Sequence, residues 1–115
     1  MTGPELKQLR HDLSEATGRR LSLSDMARIA GLKDPDRNGK DTFRKWEDGE
    51  GPSGPVAALM SLFAYALPHY ELPKQVEAAG VEMLRGQIRD DGAATVQEVY
   101  RAMIGAEIRR RLEAR

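Results

Sequence analysis

At 115 residues, 40% of them hydrophobic and 31% charged, the chain amounts to one domain, or one domain with an appendage, and carries enough apolar material for a modest core. Eighteen Lys and Arg balance eighteen Asp and Glu, which excludes a strongly basic DNA-coating protein and an acidic decoy but not a locally basic face. No Cys is present, so disulfides, thiolate zinc sites and cysteine nucleophiles are excluded. The two His, His11 and His69, are too few and too far apart for a metal cage. No apolar run approaches the roughly 20 residues that span a bilayer, and the N-terminus lacks a signal peptide's apolar stretch. The expectation is a soluble, cytoplasmic, all-α protein with no membrane contact, metal or cofactor.

A capping box at Thr2 and Glu5, with Pro4 in the first turn, predicts a helix over residues 2–16. Leu6, Leu9 and Leu13, extended by Ala16, make its apolar stripe, and Gly18 ends it. Ser22 and Asp25 form a second box ahead of the short segment Met26, Ala27, Ile29 and Ala30, which Gly31 stops. Alone so short a helix would be unstable, so it must pack. Residues 32–41 are dense in turn formers, including Asn38-Gly39. Asp41 or Thr42 can cap a third helix running through Trp46 and Glu47 to Gly49. Ser53 reads as the N-cap of a fourth helix whose apolar face runs from Val56, Leu59 and Met60 through Leu62, Phe63, Ala66 and Leu67 to Pro68. Weaker signals follow: a helix from Pro73 to about Arg89, a turn at Asp90-Asp91-Gly92, and a capping box at Thr95 and Glu98. The last opens a helix with Val96, Val99, Met103 and Leu112 on one side, broadened by Tyr100, Ile104 and Ile108.

The segments LKQLRHDL, LSLSDMARIAGL, DTFRKWEDGEGPSGP and VAALMSLFAYAL, in that order over residues 2–67, resemble the Cro/C1-type (XRE family) helix-turn-helix regulators of bacteria and phages. The resemblance implies a lambda-repressor-like bundle of about four helices over residues 1–68; residues 69–115 read as a helical extension for dimerisation or partner binding. It further implies double-stranded DNA as ligand, a recognition helix near residues 41–48, and Arg10 on the first helix as the ion-pair partner of Glu47. Two departures stand out. Fourteen positions separate Gly31 from Trp46, so the loop before the recognition helix is enlarged. Where the family often carries Gln at the start of helix 2, this chain has Ser22, Leu23 and Ser24.

A short helix enters a major groove about 12 Å wide when other helices hold it at the right angle. Phe43 and Trp46, three apart, can face inward together and leave Asp41, Thr42, Arg44 and Lys45 to point outward or sideways. Arg44 is the first choice for a bidentate contact to guanine, and Thr42 for a thymine methyl or a phosphate. Lys33, Arg37, Lys40, Arg44 and Lys45 against Asp34, Asp36 and Asp41 give a local excess of two positive charges. Asn38, Lys40 and Arg37 in the loop, Ser22 and Ser24 at the start of helix 2, Arg20 before it, and Ser53 at the start of helix 4 complete the candidate DNA-contacting set. Each also has a bland reading as a solvated face or an ordinary cap, and Trp46 reads as core rather than as a base-stacking group.

No Gly-rich phosphate loop, nucleophile elbow or metal-ligand spacing occurs, so the chain is not expected to be an enzyme. Residues 69–115 carry eight basic and eight acidic residues. A final helix that is apolar over a wide arc calls for two partner surfaces, one of them a second protomer. RRRLEAR could instead be a flexible basic arm. The reading is a sequence-specific transcriptional repressor that excludes RNA polymerase from an inverted-repeat operator as a homodimer. The alternatives are an antitoxin that binds its promoter and a toxin, and a protein-binding adaptor or antiactivator whose helix-turn-helix no longer reads DNA.

Overall fold

Satisfied helix ends set the first two elements. In the computed structural model, which describes residues 1–67, Tyr70 and 96–113, α1 spans Gly3–Thr17 and α2 spans Leu23–Ile29. The Thr2 hydroxyl accepts from the Glu5 backbone N–H at 3.3 Å while the Thr2 N–H donates to the Glu5 carboxylate at 3.2 Å. Ser22 and Asp25 repeat the arrangement at the start of α2, at 3.1 and 3.0 Å. Both capping boxes therefore form, and each satisfies two backbone donors a helix start would otherwise leave to water. Gly18, left-handed at φ 71°, closes α1.

Beyond α2 the chain departs from the sequence expectation. Residues 32–41 are not one open loop: Asp34 takes a left-handed conformation (φ 51°), which an Asp tolerates better than most residues. Its carbonyl then accepts from Arg37 at 3.1 Å and from Gly39 at 2.9 Å, closing a single π-turn over Pro35–Gly39. That turn runs directly into α3, Lys40–Asp48, whose N-cap position is Gly39 and has no side-chain cap. Neither Asp41 nor Thr42 caps the helix, because the preceding turn already supplies helical backbone where a cap would stand.

The fourth helix, α4, spans Gly54–Ala64. It stops short of Pro68, since Tyr65, Ala66 and Leu67 donate to carbonyls three residues back and tighten its end. Ser53 holds the N-cap position, but its side chain makes no cap bond. Among the described residues the last helix, α5, spans Val96–Glu113. The predicted helix at 73–89, the turn at 90–92, Pro68, His69 and the Thr95 cap lie outside the described residues.

All described elements are helical, and their apolar sides converge on one cluster. Leu6, Leu9 and Leu13 of α1 meet Met26 and Ile29 of α2, Phe43 of α3, and Met60 and Phe63 of α4. Ala16, expected to extend the α1 stripe, is exposed. Ile104, Ile108 and Leu112 of α5 enter the same cluster, so α5 packs on α2 and α4. The buried edge of α5 is thus the i, i+4, i+8 row, and Met103, expected to lie among the apolar contacts, is 55% exposed. Arg111 locks this helix down. Its guanidinium donates to the Ile29 carbonyl at 2.9 Å, at the electronegative C-terminal end of α2, and lies 5.3 Å from the Phe63 ring centroid. Gly3 makes a close backbone approach: a Cβ there would come within 2.6 Å of the Gly49, Glu47 and Trp46 carbonyl oxygens, which fixes the start of α1 against the end of α3.

Candidate nucleic-acid interface

The inward side of α3 is settled by packing. Phe43 is fully buried and meets the half-buried Trp46 edge to face, with ring centroids 5.8 Å apart. Glu47 is also buried. Arg10 of α1 donates to it twice, Nε to Oε2 at 2.8 Å and Nη2 to Oε1 at 3.0 Å, a two-pronged pair that fixes α3 on α1. Arg10 also reaches the Leu21 carbonyl at 3.4 Å.

With that face committed, the candidate residues fall on the opposite side of one continuous helical stretch. Arg37, Asn38, Asp41, Arg44 and Lys45 are exposed, while Lys40 and Thr42 are half-buried. Among the described residues, Arg37, Lys40, Arg44 and Lys45 have no acidic partner within ion-pair distance, whereas Asp36 is paired with a base. Arg28 of α2 reaches Asp36 at 3.2 Å and Asp25 at 3.4 Å, and Arg19 joins Asp25 at 3.4 Å. Committing Asp36 to Arg28 raises the uncompensated positive charge of residues 33–45 from two to three.

This network also positions the stretch. A polar cleft lined by Ser22, Ser24, Asp25, Arg28, Pro35 and Asp36 joins the start of α2 to the π-turn. Two of the predicted hydroxyls therefore stand beside the element that leads to Arg37 and Arg44. Ser22 is partly occupied, since its oxygen caps α2, while Ser24 is half-buried at the cleft. Burial works against the charge of Asp25. The Ser22 backbone and hydroxyl and the Arg19 guanidinium outweigh it and hold the carboxyl below its ordinary range. Arg20 is exposed in a separate shallow depression with Arg10, His11 and Arg19. Ser53, exposed at the start of α4, lines neither hollow.

Sequence reasoning missed Arg28 and Asp36. The three-residue spacing of Asp25 and Arg28 hints at a helical pair, but nothing local places Asp36 eight residues on, because that contact depends on the π-turn. Arg111, which the alternative of a flexible basic arm would leave free, is structural. Chemically the surface offers guanidinium, ammonium, amide and hydroxyl donors along the π-turn and α3, the inventory for base edges and phosphates. Among the described residues no group of His, Asp and Glu converges as metal ligands, and no helix is long and apolar enough to cross a membrane. Compared with protein-family models, with curated proteins and with solved structures, the chain matches none.

Proposed function

We propose that the chain is a sequence-specific DNA-binding regulator of the Cro/C1 helix-turn-helix type. In this reading α2 and α3 are the two helices of the motif, and α3 with the end of the π-turn is the element that enters the major groove. The observation that carries the reading is the division of α3 into two faces. Phe43, Trp46 and Glu47 hold it to the core, while Arg44 and Lys45, with Arg37 from the π-turn before it, are exposed with no acidic partner among the described residues. An outward-facing short helix with unpaired guanidinium groups suits bidentate contacts to guanine, and Ser24 and Arg20 suit the flanking phosphates.

One recognition helix reads only a few base pairs, so the protein acts as a homodimer on an inverted repeat, in the bacterial cytoplasm, and represses by excluding RNA polymerase. Leu62 of α4 and Met103 of α5, the large exposed apolar residues among those described, favour burial against a second copy. A pull-down of genomic fragments with purified protein at two salt concentrations tests the reading. Enrichment of a short inverted repeat that weakens as salt rises is expected. No enrichment at low salt overturns DNA reading, and a monomer in analytical ultracentrifugation with and without the enriched DNA overturns the dimer.

A further inference from the structure

Among the described residues, the side of α5 away from Arg111 borders an open space. A cavity of about 400 Å³ lies between the second half of α1, the residues following α4, and α5. Its apolar lining is Leu13 from α1, Ala66 and Leu67 after α4, and Ile108 and Leu112 from α5. The volume falls within the range of about 300–1,000 Å³ typical of small-molecule sites. Gly105 stands on the same wall, and a Cβ there would meet nothing within 4 Å. Glycine is among the weakest helix formers, and no crowding demands it in the interior of this 18-residue helix. Its effect is to keep the space open.

Charge then selects the ligand. Of the guanidinium groups on its wall, Arg101 is engaged, donating to the Tyr70 carbonyl at 3.5 Å, which leaves Arg19 and Arg109 to face one carboxylate, Glu113. Arg109 is exposed and has no ion-pair partner among the described residues. Arg19 is half-exposed, holding Asp25 at 3.4 Å with one nitrogen. An apolar floor under a cationic rim complements a molecule with an apolar body and one anionic end. We propose that this cavity binds a small amphipathic carboxylate, with its body over Leu13, Ile108 and Leu112 and its carboxylate at Arg109 and Arg19. The site rests on its own geometry and stands or falls independently of DNA reading.

Calorimetric titration of the full chain with decanoate below its micelle concentration, and with 1-decanol as the uncharged equivalent, tests this. Saturable one-to-one binding of decanoate is expected, about tenfold weaker in the Arg109→Gln variant for want of one charge-assisted contact, and weaker still for 1-decanol, which forms neither. Gly105→Leu, which places a side chain in the space, abolishes binding while the helical circular dichroism persists. Non-saturable uptake of decanoate, equal binding of 1-decanol, or undiminished binding by a folded Gly105→Leu overturns the proposal. Arg109→Gln alters an exposed side chain, so its undiminished binding overturns the proposal even where Gly105→Leu fails to fold.

Discussion

Replacing Glu47 by Ala tests whether the pair with Arg10 sets the position of α3. The side chains of Arg10 and Glu47 are only 16% and 5% exposed, and two bonds of 2.8 and 3.0 Å join them. Removing the carboxylate leaves a largely buried guanidinium with only the Leu21 carbonyl at 3.4 Å. Breaking a buried pair from one side costs about 3–5 kcal/mol. The residual exposure of Arg10 places this variant near the lower figure, about 3 kcal/mol. That is a large share of the roughly 5–15 kcal/mol that holds a domain folded. Arg10→Met strands the more deeply buried partner and should cost at least as much. Arg10→Met combined with Glu47→Leu removes both charges and should return to within about 1 kcal/mol of the parent. Urea unfolding followed by circular dichroism measures the parent, these three variants and Glu47→Leu, which closes the cycle, with unchanged denaturant slopes as the check on a common unfolded state. A loss below about 0.5 kcal/mol for Glu47→Ala, the worth of an exposed pair, or a coupling near zero across the cycle refutes the buried clamp.

Further perturbations probe other parts of the molecule. Arg44→Ala should cost about 1–3 kcal/mol at one base position, whereas Arg20→Ala should weaken all sequences alike; base-pair substitution scanning separates the two, and an unchanged profile for Arg44→Ala removes it from the specificity set. Hydrogen bonds from Arg110 and Arg111 lower the Glu107 carboxyl from 4.5 to about 2. Its support of α5 is therefore complete above pH 4.5 and lost as pH falls through about 2; carboxyl NMR titration should find that midpoint, and one near 4.5 contradicts the fork. Gly3→Ala drives a methyl into the carbonyls that close α3 and should cost about 1–3 kcal/mol in urea unfolding, with no loss as the refuting result. Arg111→Met removes the bond to Ile29 and the charge over Phe63, so hydrogen exchange in α5 should quicken before that in α1; equal protection refutes the anchoring role.

Much of the fold was legible because its signals are local. A hydroxyl three residues before a carboxylate defines a helix start whatever surrounds it, and Thr2–Glu5 and Ser22–Asp25 form as their spacing predicts. The inward pairing of Phe43 with Trp46 follows from helical periodicity in the same way. Signals that a neighbour could override were less faithful. Asp41 and Thr42 look like caps, yet the π-turn delivers helical backbone to Lys40 and leaves them nothing to cap. Met103 and Ile104 are both apolar, and only the direction from which α2 and α4 approach α5 decides that Ile104 is buried and Met103 exposed.

By itself the sequence determined the helical class, the starts of α1 and α2, the absence of thiol chemistry, and the concentration of unlike charges around residues 33–45. These depend on residue type and on contacts a few positions apart, where the geometry of a single helix is enough. Tertiary structure decided which charges are spent and which stay available. Arg28 takes Asp36, Arg111 takes the end of α2, and Arg10 takes Glu47 as the family resemblance implied, while Arg44, Lys45 and Arg109 are left exposed. Such pairings join residues 8, 37 and 82 positions apart. Over those separations charge and spacing along the chain carry no information about distance, and only the packing of one helix on another brings the partners within reach.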